Sequence, residues 1–249
     1  MQRPIFAANW KMNHGPTDAR AFMRSFLAHY ARRPDRQVIF FPSAITLTAV
    51  RDALRERNDI LVGVQNIHWE DKGAFTGELS ASMARDAGAH LALVGHSERR
   101  HVFGETDDET ARKVAAAVRA GLVPVLCVGE TLEQREGGAT DSVVLRQLAA
   151  GISKIEPHAL ANMLIAYEPV WAIGTGKTAT PSDAAAVHTV IRAALRAEGG
   201  ERAASIPVLY GGSVNRGNAS QILAEEQVDG LLVGGASLDA EGWSSIVRS

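Results

Sequence analysis

Apolar residues along this chain follow two alternating patterns. Short continuous runs, such as Met163-Leu164-Ile165-Ala166-Tyr167, are separated by longer stretches with helical spacing. The runs predict strands at Ile5 to Trp10, Val38 to Phe41, Ile60 to Val64, Leu91 to Val94, Val123 to Val128, Met163 to Tyr167, Ile206 to Tyr210 and Gly230 to Val233. Runs that are apolar throughout, with no alternation, mark strands covered on both faces. With amphipathic helices between them they make about eight βα units, so the expected fold class is α/β, with eight parallel strands ringed by helices in a closed (β/α)8 barrel. The clearest helix follows the sixth strand, with Val187, Val190, Ile191, Ala194 and Leu195 on one face. Thr180 is its expected N-cap, Pro181 fits its first turn and Asp183 completes a capping box. Gly199 is expected to take the left-handed position at its C-terminus.

Composition narrows the reading. The 249 residues, 46% of them hydrophobic, can bury a sizeable core, and no linker or low-complexity tract divides them. Residues 1–249 are therefore expected to form one domain. The 26 basic and 28 acidic residues leave a net charge of -2, so no global field recruits nucleic acid or an anionic membrane. An anionic ligand must then be held by local geometry. The N-terminal segment has no apolar leader core, and no run approaches the roughly 18 apolar residues of a membrane span. A cytoplasmic protein is expected. Cys127 is the one cysteine, which excludes an internal disulfide and reads as a small buried hydrophobe.

Gly176-Lys177-Thr178 looks like the end of a nucleotide-binding loop, but Trp171 stands where that motif needs its first glycine. No Gly-x-Gly-x-x-Gly element follows the first strand, and no His or acidic cluster has metal-ligand spacing. Neither cofactor nor metal is expected. One connection is anomalous: the segment from Gln65 to Leu79 is long for a compact barrel and shows little periodicity. Trp69 and Phe75 within it are costly to leave in water, which suggests docking into a second subunit.

In a parallel barrel, chemistry gathers where strands end, at the C-terminal face. Asn9 and Lys11 end the first strand, and His96 follows the fourth after Gly95. Glu168 ends the sixth strand, Ser213 follows the seventh, and Gly234 and Gly235 follow the eighth. Taken singly, each has an ordinary explanation, since strand-end carboxylates and lysines are usually solvated and a lone histidine is more often structural. Their convergence on one face argues for a site. Pro169 biases Glu168 toward extended backbone, and the glycine-bearing loop after it reads as a lid with Trp171 and Ile173 as its apolar cover.

Five segments carry a resemblance: Asn9-Trp10-Lys11-Met12-Asn13, Val94-Gly95-His96-Ser97-Glu98-Arg99-Arg100, the Glu168 strand end with its lid through Lys177, Tyr210-Gly211-Gly212-Ser213-Val214 and Gly234-Gly235-Ala236-Ser237-Leu238. In order and spacing the chain resembles the triosephosphate isomerase family. Gly73-Ala74-Phe75-Thr76-Gly77-Glu78, Phe103-Gly104-Glu105-Thr106 and Cys127-Val128-Gly129-Glu130 are similar too, whereas Ala8 stands where many members have glycine. The resemblance implies a TIM barrel that interconverts dihydroxyacetone phosphate and D-glyceraldehyde 3-phosphate, a small-molecule triose phosphate substrate. Glu168 would be the general base, made more basic by burial, and His96 a neutral electrophile, a pairing known for this family and borrowed with the resemblance. Lys11 would stabilise developing negative charge, while Asn9 would hold substrate oxygens and position Lys11. Backbone N–H groups of Gly174, Ser213, Gly234 and Gly235 would bind the phosphate, helped by the N-terminus of the last helix. The implied assembly is a homodimer through the Gln65 to Leu79 loop, with Thr76 reaching the Asn9 and Lys11 region of the second subunit. Two other classes stay open on the residues alone: an aldolase using Lys11 as a Schiff-base nucleophile, and a catalytically silent phosphate-binding barrel.

Overall fold

The structure is a computed structural model that describes residues 3–173 and 179–249. Its strands are β1 (Ile5–Asn9), β2 (Gln37–Phe41), β3 (Ile60–Val64), β4 (Leu91–Val94), β5 (Val123–Val128), β6 (Leu164–Tyr167), β7 (Val208–Tyr210) and β8 (Gly230–Val233). Each pairs in parallel with the next, and β8 returns to pair with β1, closing the barrel. The closure is registered by Ile5, which stands opposite Gln37 on one side and Gly230 on the other. Around this sheet lie α1 (Pro16–His29), α2 (Leu47–Ala53), α3 (Ala81–Asp86), α4 (Ser97–Val102), α5 (Asp107–Arg119), α6 (Leu132–Glu136), α7 (Thr140–Ile152), α8 (Pro157–Leu160), α9 (Pro181–Ala204), α10 (Ala219–Leu223) and α11 (Ala240–Val247). No helix among the described residues is long and apolar enough to cross a membrane.

Strand pleating sorts the apolar residues into two layers. Ala7, Leu93, Cys127, Ala166, Leu209 and Leu232 belong to one buried cluster, the barrel interior. Their strand neighbours Ala8, Val94, Leu126, Ile165, Tyr210 and Leu231 belong to the layer beneath the helices. Both faces of each strand are thus covered, as the continuous apolar runs require. The outer layer is thickest where α1 and α11 meet, with Trp10 edge-on to Phe22 at 4.8 Å and Phe40 packed between Phe26 and Trp243.

Observed boundaries differ slightly from the apolar runs. Trp10 is buried but lies outside β1, and Met163 precedes β6. Ile206 belongs to the exit of α9, where its N–H donates to Ala203 O at 3.1 Å, and Pro207 has no N–H for the ladder, so β7 begins at Val208. The start of α9 is as expected, with Thr180 capping Asp183 N and Asp183 reciprocating. Its end is not. Gly199 has φ -142 and the left-handed turn falls on Gly200 at φ 67, after which the chain resumes helical form to Ala204. Cys127 is fully buried.

α9 also carries a buried histidine. His188 Nδ1 lies 3.0 Å from Gln227 O, its Nε2 is buried without a hydrogen-bond partner, and Tyr167 packs edge-on at 5.9 Å. Burial pushes its pKa down to about 4 from 6.5. The unfolded chain therefore binds this proton first, and stability present above pH 6.5 drains away as the pH falls toward about 4. Urea titrations of wild type should show this site removing about 2 kcal/mol between pH 7 and pH 5. His188→Gln should lose that part of the pH dependence, and an unchanged slope would show that His188 is not its source.

Candidate active site

The inward phase of each strand continues past its end into the mouth of the barrel. Asn9 stands two residues beyond Ala7, Glu168 two beyond Ala166, Gly211 two beyond Leu209 and Gly234 two beyond Leu232. They converge with Lys11, His96, Ile173, Ser213 and Gly235 on one cavity of about 270 Å³. Asn9, His96, Ser213, Glu168, Lys11, Gly234 and Gly235 are thus brought together at the expected face. Gly174 and the Gly176 to Thr178 stretch lie outside the described residues.

His96 caps the N-terminus of α4, its Nδ1 accepting from the Glu98 N–H at 3.2 Å. Its Nε2 is 2.9 Å from Glu168 Oε1, and Glu168 Oε2 accepts from the Ser97 N–H at 2.8 Å. Both side chains are almost fully buried. Gly95, before the histidine, is held on both polar groups: its N–H donates to Glu105 at 3.1 Å and its C=O accepts from Arg100 at 2.7 Å. Glu105 is itself buried, and although burial opposes its charge, Lys113 at 2.5 Å and Arg99 at 3.0 Å hold its carboxyl below the ordinary range.

Two opposing effects act on the Glu168–His96 pair. Burial raises the Glu168 carboxyl, but the adjoining His96 and the Ser97 N–H more than offset it, so the group lies below its ordinary range. The expectation of a more basic Glu168 concerns a carboxylate in a closing apolar site; here both of its oxygens accept hydrogen bonds, from His96 and from Ser97. Burial likewise lowers His96 while the Glu168 carboxylate pulls it up, with an upward balance. The hydrogen-bond geometry argues against a charged ring, because a proton on Nδ1 would point at the Glu98 N–H donor. We assign a neutral His96 carrying its proton on Nε2 and donating to the Glu168 carboxylate.

Lys11 is set by constraint. Its backbone is left-handed at φ 52, a conformation costing roughly 1–3 kcal/mol for a non-glycine residue. Three contacts hold it there: its N–H donates to Asn9 Oδ1 at 3.0 Å, its C=O accepts from Gln65 at 2.8 Å, and its Nζ donates to Glu98 at 2.6 Å. Gln65 also reaches Phe41 O at 2.9 Å, tying the β1, β2 and β3 exits together. No role was predicted for Gln65 or Glu98. Gln65 had a readable signal, since it extends the inward phase of Leu61 and Gly63, whereas Glu98 depends on the turn of α4.

After β8, the chain enters a 3₁₀ turn, Gly235–Ser237, and α11 starts only at Ala240. The expected helix N-terminus is therefore this short turn and not the last helix. Ser237 Oγ donates to Val233 O and Gly234 O, and Ser237 N to Gly234 O, which turns those carbonyls away from the mouth. A side chain at Gly234 would press on Lys11 Cε at 3.1 Å. The other wall begins the lid: Glu130, fully buried, accepts from Tyr167 OH at 3.1 Å and Trp171 Nε1 at 2.8 Å, and Arg135 bridges toward Asp183 at the start of α9. Sequence reading assigned Glu130 no role.

A barrel with a carboxylate and a neutral imidazole in contact at its C-terminal mouth, beside a lysine and a glycine-lined turn, is a (β/α)8 enzyme equipped for acid–base chemistry on a small anion. The family model for triosephosphate isomerase matches residues 4–249. Triosephosphate isomerase of Pseudomonas fluorescens is 50% identical over 250 residues, covering 100% of this chain and 99% of that one. That of Moorella thermoacetica is 46% identical over 248 residues, covering 100% and 99%. The crystal structure of triosephosphate isomerase from Bartonella henselae superposes with a TM-score of 0.88 at 40% identity, covering 98% of this chain and 97% of that one. The chain belongs to the triosephosphate isomerase family, and it is an isomerase.

Gly211 offers a direct test of the packing around Glu168. A Cβ there would sit 2.9 Å from Glu168 Cγ and 3.2 Å from Tyr167 O. Gly211→Ala should leave a folded protein whose turnover falls by about tenfold through a displaced carboxylate. Steady-state kinetics beside circular dichroism would check this, and full turnover would mean that Glu168 has room to spare.

Proposed function

We propose that this site interconverts dihydroxyacetone phosphate and D-glyceraldehyde 3-phosphate through an enediolate, with Glu168 as the base and His96 as the electrophile. The observation that carries the reading is the 2.9 Å contact between Glu168 and His96 Nε2. Two groups that meet across such a distance can address adjacent atoms of one small substrate inserted between them. Substrate takes over the His96 donor through its carbonyl oxygen, and Glu168, relieved of that hydrogen bond in a site closed to water, becomes the stronger base. It removes the proton from the hydroxyl-bearing carbon next to the carbonyl and returns it to the former carbonyl carbon, while His96 gives its Nε2 proton to the former carbonyl oxygen and recovers one from the neighbouring hydroxyl, which becomes the new carbonyl. His96 Nε2–H and the Lys11 ammonium stabilise the oxygen that gains charge, with Asn9 holding Lys11 in register.

In the same reading, N–H groups of Ser213, Gly234 and Gly235 receive the phosphate, joined by Gly174 from the lid. No charged side-chain clamp is required when backbone donors converge on an anion. Trp171 and Ile173 cover the reacting carbons, which keeps water from an enediol phosphate prone to lose its phosphate. The whole chain, 1–249, acts as one domain without cofactor or metal. The Schiff-base alternative is disfavoured by the ion pair of Lys11 with Glu98 at 2.6 Å, because a nucleophilic amine must be neutral. In deuterium oxide the enzyme should place deuterium on the substrate carbon next to the carbonyl. Glu168→Asp, which withdraws the carboxylate by about 1 Å, should slow exchange and turnover together by on the order of 10²-fold. Ligand binding with no deuterium incorporation would leave only a phosphate-binding barrel, and near-normal turnover in Glu168→Asp would remove it as the base.

The active unit in this reading is a homodimer in the cytoplasm, a compartment that suits the single unpaired Cys127. Trp69 is half-buried, stacked on His68 at 4.2 Å with Arg112 over it, and Phe75 lies against the same His68 ring at 4.4 Å. Phe75 remains 43% exposed, Phe103 67% and Met12 96%, and a cavity lined by Lys11, Gln65, Glu98 and Phe103 opens beside the reaction mouth. A second copy would cover these apolar groups, with Thr76 of the partner subunit entering beside Asn9 and Lys11. Phe75→Glu should then sediment as a monomer and lose most of its turnover; a fully active monomer would free the long loop from any catalytic duty.

A further inference from the structure

We propose that Gln147 is a positioning residue for the Glu168 carboxylate, acting through Gly129; this rests on the reading of Glu168 as the base. Gln147 lies on α7 and is only 5% exposed. It is not among the residues lining the reaction cavity. Its Oε1 accepts from the Gly129 N–H at 2.7 Å, and its Nε2 donates to the Gly129 C=O at 3.2 Å. One side-chain amide thereby satisfies both polar groups of one residue, an arrangement that also fixes which way round the amide sits.

Gly129 continues the inward phase of β5, two residues beyond Cys127, and stands directly under the base. A Cβ on Gly129 would lie 1.8 Å from the Glu168 carbonyl oxygen and 2.6 Å from its carbonyl carbon. Its neighbours are stitched to the same segment: Glu168 N donates to Val128 O at 2.8 Å, and Val170 N donates to Glu130 O at 3.0 Å. Residue 129 is thus a seat for the Glu168 backbone, clamped from the helix side by Gln147. Gly95 is clamped in the same manner by Glu105 and Arg100, one residue before His96. Each half of the acid–base pair therefore has its own glycine whose peptide groups are locked by side chains outside the cavity. Removing the Gln147 amide leaves a buried N–H and a buried C=O without partners, and the Gly129 peptides must rotate to find others. The Glu168 backbone resting on them moves too.

The test compares Gln147→Met, Glu168→Asp and the double variant by steady-state kinetics on the full-length protein, with circular dichroism at the assay temperature. Gln147→Met should lower kcat by about tenfold and leave KM within about twofold, because Gly129 touches the Glu168 backbone and is not among the residues lining the cavity with Ser213, Gly234 and Gly235. In the Glu168→Asp background, where the carboxylate is already withdrawn, losing Gln147 should cost less than about threefold. Should the Met variant be insoluble, Gln147→Glu keeps the acceptor for the Gly129 N–H, loses the donor and should show the same selective fall in kcat. A wild-type kcat in a folded Gln147 variant, or an equal loss in both backgrounds, overturns the proposal while Glu168→Asp remains impaired. A Glu168→Asp enzyme with near-normal turnover instead overturns the reading of the base, and the positioning role with it.

Discussion

The phase of the strand pleat is the constraint from which the site follows. A closed parallel barrel admits one set of alternate residues to its interior, and closure of β8 onto β1 leaves no edge along which a strand can slip. Shifting any strand by one residue would exchange its inner and outer sets. Because Ala166 is inside, Glu168 is inside at the mouth; because Ala7 is inside, so is Asn9. Chemistry and packing therefore share one register. The apolar residues that fix it lie in the barrel below the polar groups that use it.

That register explains how much of the fold and the site is legible in the sequence. Strands, their order and the catalytic face were legible because continuous apolar runs and strand-end polar residues depend on local spacing alone. Gln65 was legible in principle by the same phase, but a glutamine in a long aperiodic connection gives no reason to count from Gly63. Glu98, Glu130 and Gln147 were not legible, since each works through a contact distant in sequence: Glu98 with Lys11, Glu130 with Trp171, Gln147 with Gly129. The failure at Gly199 is of another kind. Two adjacent glycines can both adopt a left-handed turn, and here it falls on Gly200, while Ala203 of the resumed helix packs so closely on Gly199 that a Cβ there would lie 2.7 Å from it.

The polar groups at the mouth are paired with one another. Glu168 accepts from His96 and from Ser97, and Lys11 is paired with Glu98, so each charged group already has a partner. Buried charges without partners are costly, and these contacts let the mouth exist before substrate arrives. The same contacts lower the basicity of Glu168. The proposed mechanism therefore entails an exchange of partners, in which substrate supplies His96 with an acceptor and Lys11 with an anion and the binding energy of the phosphate drives the exchange.

An exchange of partners is useful only if the atoms left behind do not move. A carboxylate that gives up its His96 partner would drift if its backbone drifted, so the surrounding residues carry the geometric burden. Glu168 is bounded below by Gly129, on one side by Gly211 and along its backbone by Val128. Immediately downstream, Glu130 anchors Trp171 and Tyr167, and Arg135 links that anchor to Asp183 at the start of α9. Trp171 thus shares its anchor with the strand end that carries Glu168, and that strand end is braced from α7, from β5 and from β7. The supports differ in kind: Glu168 itself rests against a buried amide, Gln147, through the Gly129 seat, whereas the segment beyond it is tied by the charged groups Glu130, Arg135 and Asp183, so the bracing nearest the carboxylate brings no further charge into contact with it.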